Sequence, residues 1–531
     1  MSGTGIGNAV ANTRAKPPAL GFLRSCALVF TLLLLGLSCL CLQAAWDDEP
    51  TREVRGLVTD SNTKPLTGAC VRIKGTTHQT TTDATGRFHL RGQGQRVTAW
   101  KEGYFIGGVP VDQASALLLR LRRLPQDDNP EYNWVEPTPN RDAPQHCGNC
   151  HGQIYREWAG SAHGRAGENR HFRNLYDGTD WEGRPNRGWN LRKEHPEGVS
   201  VCAGCHAPTV KFEDPAYEDF RQLRGVDRRG VHCDYCHKIV DVSLSRLGQE
   251  HGRFSHQLLR PSTGQLFFGP LDDVDRDEDA YSPLYKESRY CASCHEGTVF
   301  GAKVYTTYSE WLASPAKRRG QQCQSCHMAP TGQMTNIAPG RGGMERDPKT
   351  LGSHGTPGGD LAMLRRCLAL KTTLRRDGPA LHVTCTVTAT NVGHRVPTGF
   401  IDRNLSLVVE PMTTQGHRLA PTSGPTLPAA TGVGNPGEQN FAGLPGRFYA
   451  KLIADSAGQV PIPFWRFAQD VADTRLHPEQ PDTTTWVFPA DQVVNVRVRL
   501  IYRRFFKLTA DQKGWPRNDI VVIEETLPVP R

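Results

Sequence analysis

The residues able to do chemistry lie between positions 147 and 327, where one pentapeptide pattern occurs five times. The copies are Cys147-Gly-Asn-Cys150-His151, Cys202-Ala-Gly-Cys205-His206, Cys233-Asp-Tyr-Cys236-His237, Cys291-Ala-Ser-Cys294-His295 and Cys323-Gln-Ser-Cys326-His327. Two thiols three residues apart project from one side of about one helical turn. The imidazole that follows can then reach a metal from that same side. This is the arrangement that attaches c-type haem: both sulfurs bond the vinyl-derived edges of the porphyrin, and the histidine becomes the proximal iron ligand. Zinc would combine CxxC pairs into four-ligand sites. Five pairs would leave one half-site over, and zinc gives no reason for the histidine. Histidine is 19 of 531 residues, so five chance successes have odds of roughly 6 × 10⁻⁸. A thioredoxin-type pair needs one motif in a βαβ setting, not five in succession. The spacing therefore predicts five covalently attached haem c groups.

The protein around these motifs is sparse. The 181 residues from 147 to 327 carry five motifs, about 36 residues per haem. That is too little chain to build an ordinary core at each site, so the porphyrins must supply much of the buried apolar surface. Binding energy and folding energy are then one quantity. Mean hydropathy is −0.50 and hydrophobic content 37%, low for a chain of this length. The 53 Gly and 38 Pro predict many turns and little long helix. The net charge of +9 does not make this a nucleic-acid binder. Removing Arg14, Lys16 and Arg24 with an N-terminal leader leaves +6. Five haems add ten propionates and about five ferric charges, which brings the holo protein near neutral, and no basic stripe stands out.

The chain divides into five parts, and the fold class expected is multidomain α+β. Residues 1–45 have a polar start, a 17-residue apolar run at 26–42 and the exit Gln43-Ala44-Ala45. They read as a secretory signal peptide or, at the lower edge of spanning length, a membrane anchor. Lipid attachment at Cys39 or Cys41 fits poorly. Export would place the chain in an oxidising, periplasmic or extracytoplasmic compartment, possible inner-membrane anchoring included. Residues 46–123 hold short alternating runs, Val54–Val58, Ala69–Lys74 and Arg87–Leu90, around an Asp83-Ala-Thr-Gly86 turn. This predicts an N-terminal β-sandwich. It resembles the carboxypeptidase regulatory-like domain, which implies docking or spacing and leaves His78 and His89 as surface positions. Residues 124–145 form a Pro-rich linker, expected to be extended and semi-rigid. Residues 146–360 form the central helical, loop-rich multihaem domain. Residues 361–531 predict a C-terminal β-sandwich. There Asp377-Gly378 marks a hairpin, and Cys367 and Cys385 lie nearly symmetrically about it, so a cross-strand disulfide and two free thiols are both open.

Beyond the first motif stands Ile154-Tyr155-Arg-Glu-Trp158-Ala-Gly-Ser161-Ala162-His163, and before the last stands Tyr308-Ser-Glu310-Trp311-Leu-Ala-Ser314-Pro315. Further on come Gly393-His394-Arg-Val-Pro397-Thr398-Gly399 and Asp473-Thr-Arg475-Leu476. Taken in order over about 390 residues, these resemble the multihaem c-type cytochromes related to the electron acceptor of hydroxylamine oxidoreductase. The resemblance implies a mostly α-helical haem array, bis-histidine ligation and electron transfer. It favours His163 as a distal ligand, with His354 and His394 as further ones. His171, His195, His232, His251 and His256 compete for the other two irons, and His146, His232 and Met328 are badly placed for their own haem.

Ligation decides the function class. Two strong ligands on every iron make a wire that passes electrons between redox partner proteins. One open iron makes a haem enzyme acting on a small nitrogen or sulfur compound. Histidines are in excess, so counting does not choose. Pentahaem nitrite reductases usually have lysine as proximal ligand at the catalytic haem, and no motif here ends in lysine. The expectation is an electron carrier without catalytic residues. A third reading, a surface binding protein whose haems only rigidify it, does not account for the extra histidines.

Overall fold

The computed structural model describes residues 52–111, 116–196, 200–516 and 518–530. The apolar run at 26–42, with the leader, anchor and lipid readings attached to it, lies outside the described residues. Among the described residues no helix is long and apolar enough to cross a membrane.

The first region is built from seven short strands in two sheets. One has the order Gln79–Thr81, Cys70–Ile73, Arg96–Trp100, Gly107–Pro110; the other Arg87–Gly92, Arg52–Asp60, Leu117–Leu121. The strand Arg52–Asp60 pairs antiparallel with Arg87–Gly92 and parallel with Leu117–Leu121. Period-two alternation explains which face is inside: Phe88 and Leu90 are buried while His89 between them is exposed. Val58, Val71, Ile73, Val97 and Leu119 from both sheets share one core. The Asp83 carboxylate accepts from the backbone N–H groups of Thr85 and Arg87 at 2.8 and 2.9 Å, an Asx-type closure. Gly86 completes that turn at φ +76°, where a Cβ would meet the Val58 carbonyl at 2.7 Å.

Residues 124–145 are not a free spacer. Val135 N–H donates to the Asp234 carboxylate at 2.8 Å, Arg260 pairs with Asp128, and Tyr132 and Val135 are buried. The prolines keep the segment irregular, and the haem region pins it. The first region is also docked onto that region by charge: Lys74 meets Asp275 at 2.5 Å, Arg72 meets Asp272 at 2.9 Å, and Gly75 N–H donates to Asp273 at 2.8 Å.

The central region is less helical than the resemblance implied. Its longest helix, Gly152–Gly160, has nine residues. The rest are one- or two-turn pieces among loops and two-stranded ribbons. Helices this short are not stable alone, so loop packing must hold them. Four attachment motifs end or lie in such pieces, Ala203–His206, Cys233–Cys236, Arg289–His295 and Gln324–His327, and the first sits at the 3-10 turn Cys147–Asn149.

The last region follows the helix Leu361–Cys367. Its three-stranded sheet has the order Leu368–Asp377, Ala380–Ala389, Pro481–Pro489. Its four-stranded sheet has the order Gly446–Tyr449, Asn404–Met412, Asn495–Arg503, Asp519–Pro528. Leu381, Val383, Trp486 and Phe488 of the first meet Leu405, Leu407, Val498 and Leu500 of the second in one core. The hairpin forms at Gly378, with φ +56°. Its register rules out the disulfide: Cys385 stands opposite Thr372 and the Cys367 carbonyl accepts from Thr390 N–H at 2.8 Å. The two cysteines are thus five ladder steps apart, about 17 Å, and a bridge needs Cα atoms within about 7 Å. Both are free thiols.

Candidate haem array

All five attachment motifs line one continuous cavity of about 2300 Å³. The ten motif cysteines, Cys147, Cys150, Cys202, Cys205, Cys233, Cys236, Cys291, Cys294, Cys323 and Cys326, stand on its wall, as do His151, His206, His237, His295 and His327. His163, His354 and His394 line the same space, although they come from a turn after the first helix, a Gly-rich loop and the C-terminal region.

Most of these histidines hold a hydrogen bond that leaves one ring nitrogen free to face the cavity. The Nδ1 of His151 pairs with the Ile337 carbonyl at 2.8 Å, that of His206 with Ala166 at 3.2 Å, that of His237 with Phe268 at 2.5 Å and that of His327 with Pro357 at 2.7 Å. A carbonyl partner puts the proton on Nδ1 and leaves Nε2 as the donor to a metal. His394 has the same arrangement, with the Arg395 carbonyl at 2.9 Å. Burial also lowers the pKa of His151, His163, His206, His237 and His394, and that of His295 to about 3. Neutral imidazole, the form that binds metal, is therefore favoured.

Two histidine pairs have the separation of axial ligands. The rings of His163 and His295 are 6.2 Å apart between centroids, and those of His327 and His394 are 6.1 Å apart at 18°. Two metal–nitrogen bonds of about 2 Å, with about 1.1 Å from each nitrogen to its ring centre, require ~6 Å across one metal. Of the motif histidines, His237 acts on His354 more strongly than His151 does, both lowering its pKa, which burial takes down to about 4.

Among the other histidines, His146, His171, His232, His251 and His256 line the same cavity, and their contacts differ. His256 has both nitrogens engaged, Nδ1 with the Tyr235 hydroxyl at 2.7 Å and Nε2 with Ser293. His232 Nδ1 accepts from Tyr235 N–H at 3.3 Å, capping the helix that holds the third motif. His146 Nδ1 pairs with the Thr138 carbonyl at 2.6 Å. His171 is packed among Trp181, Phe505 and Trp515. His251 stands against Gly297, and His195 against Phe300.

Cysteines of different motifs also meet. The thiol of Cys147 is near enough to that of Cys233 to raise its pKa, that of Cys294 does the same to Cys205, and that of Cys323 to Cys291. Between the third and fourth motifs, the hydroxyls of Tyr285 and Tyr290 both donate to the Cys236 carbonyl, at 2.6 and 2.9 Å. Sequence reasoning missed these contacts, because they join residues 32 to 89 positions apart.

The donor set fits haem: paired thiols on one turn, a neutral imidazole with its proton held away from the cavity, and an apolar lining of aromatic rings. Residues 53–113 match the carboxypeptidase regulatory-like domain family. Residues 146–238 match the cytochrome c554 and c-prime family. No curated protein matches the chain. Among solved structures, a penta-heme cytochrome c552 from Thermochromatium tepidum is similar, with a TM-score of 0.53 and 21% identity over 72% of this chain and 97% of that one. At that identity the likeness is one of fold. Taken with the five motifs, these matches support a multihaem c-type cytochrome.

Proposed function

We propose that this chain is an exported pentahaem c-type cytochrome that transfers electrons along closely packed, covalently bound haems. Haem supplies the one-electron ferric/ferrous couple; the chain fixes its position, ligands and surroundings. The ten motif cysteines anchor the groups and His151, His206, His237, His295 and His327 ligate the irons. His163 completes the iron of His295, and His394 that of His327. The observation that carries the reading is the meeting of motif cysteines inside one cavity. Each such cysteine would grip a porphyrin edge, so these proximities support an order in which the first haem lies beside the third, the second beside the fourth and the fourth beside the fifth. Tyr285 and Tyr290 fill the step from third to fourth. The result is a branched wire with the fourth haem as its junction.

The resemblance to the electron acceptor of hydroxylamine oxidoreductase belongs to this proposal and gives the partner class: redox partner proteins that donate and accept electrons. The regulatory-like domain would dock or space the array.

The test is haem content by pyridine haemochrome together with low-temperature EPR of the oxidised protein. Five haems per chain and only low-spin ferric signals are expected. A high-spin signal from about one iron in five, converted by cyanide or nitrite, would replace the carrier reading with that of an enzyme holding one open iron.

A further inference from the structure

The string Tyr-x-Glu-Trp-x-x-Ser occurs twice, as Tyr155, Glu157, Trp158, Ser161 and as Tyr308, Glu310, Trp311, Ser314. Each pair of equivalents is 153 positions apart. The two copies build the same object. Each lies on a short helix, Gly152–Gly160 and Thr307–Leu312. The Tyr and Trp rings pack at 5.8 Å in the first copy and 5.5 Å in the second. The serine N–H donates to the Trp carbonyl at 2.9 Å in both. The serine Oγ accepts from the N–H three residues on, at 3.2 and 3.3 Å. Both tryptophans are 6% exposed.

What each copy holds is also equivalent. The Trp158 indole donates to the Val231 carbonyl at 2.8 Å, and the Trp311 indole to the Gln321 carbonyl at 2.9 Å. Val231 and Gln321 each stand two residues before the first cysteine of an attachment motif, Cys233 and Cys323. The carboxylates reach the other way. Glu310 Oε2 accepts from Arg395 N–H at 3.2 Å and from the Thr398 hydroxyl at 2.7 Å, on the loop that carries His394. Glu157 Oε2 accepts from His354 N–H at 2.8 Å and from the Ser353 hydroxyl at 3.0 Å. In the second copy the motif and the loop histidine so held, His327 and His394, face each other at 6.1 Å.

We propose that Glu157 and Glu310 are equivalent positioning residues, each fixing the loop that presents the sixth ligand to the haem whose attachment segment the adjacent tryptophan holds. By this equivalence His354 completes the iron of His237. One clamp therefore sets both axial sides of one haem, from a single rigid turn of helix. A carboxylate suits the task because it accepts at once from a backbone N–H and a side-chain hydroxyl of the same loop. The inference rests on the five-haem reading.

The test uses the full-length holo protein. In Glu157→Ala, haem content should stay at five per chain while one low-spin signal, a fifth of the ferric intensity, shifts or turns high-spin. The isosteric Glu157→Gln, which loses one acceptor, should move the same signal less. His354→Ala and His237→Met should each alter that signal and no other. Glu310→Ala and His394→Ala should together alter a different fifth. An unchanged spectrum in Glu157→Ala with five haems bound overturns the positioning role. Different signals for His354→Ala and His237→Met overturn the pairing. Fewer than five haems in the unmodified protein would instead sink the reading beneath it.

Discussion

A buried imidazole and a buried carboxyl answer desolvation in opposite ways, and the chain uses both. Burial drives His295 to about 3, which keeps its ring neutral and ready for iron at any working pH. Asp402 is 1% exposed, its Oδ2 meets no hydrogen-bond partner among the described residues, and burial alone raises its pKa from 3.8 to about 8. Because the folded value lies above the unfolded one, the folded state holds the proton more tightly. The stability so gained is fully present below about pH 4 and is lost as pH rises to about 8, at ~1.4 kcal/mol per pH unit. Asp402→Asn should therefore flatten the fall of the melting temperature between pH 4 and pH 8, gaining most at pH 8 and almost nothing at pH 4. Thermal unfolding of the holo protein across that range measures it; a slope identical to that of the unmodified protein would rule out Asp402 as its source.

At the scale of elements, the C-terminal hairpin makes a prediction about thiols. Cys385 is buried on the inner face of the strand Ala380–Ala389, and its pKa is pushed up to about 11. Iodoacetamide at pH 8 should leave it unmodified in the native protein. In denatured, unreduced protein both Cys385 and Cys367 should take the label, as read by peptide mass; protection of both would restore the bridge. The hairpin itself was legible from alternation and from Asp377-Gly378, because both are local. The choice between bridge and free thiols stayed open in the sequence because near-symmetry about a turn does not say which residues the turn consumes. The same division runs through the site. Attachment cysteines and proximal histidines are written in five consecutive residues and need only one helical turn. His163 meets His295 across 132 positions and His327 meets His394 across 67, distances that only loop packing fixes. The repeated Tyr-x-Glu-Trp string is visible as letters, but the segments it grips lie 10 to 197 positions away.

Across the whole molecule, the core is distributed unevenly. The first and last regions each close an apolar core of their own, around Val58 and Leu119 and around Trp486 and Leu500. The central region has only small clusters of its own, around Ile239 and Trp311, and borrows for the rest: Leu175, Tyr176 and Phe220 pack against Trp465, Ala510 and Trp515 of the last region. Its motifs surround a cavity of about 2300 Å³, a volume that protein interiors packed to ordinary density do not hold open without a filling group. Short helices, exposed ion pairs such as Arg228–Glu168 and loop hydrogen bonds do not replace that contact, since each surface pair contributes about 1 kcal/mol or less. A chain with all ten motif cysteines changed to alanine should therefore lose the central region and keep the other two. Brief trypsin digestion followed by mass spectrometry should show early cuts throughout residues 146–360 in that variant, with fragments spanning 52–123 and 361–531 surviving. The holo protein should resist over the same interval. If the variant instead resists as well as the holo protein, the central fold is carried by the polypeptide, and the haems are guests in it and no part of its core.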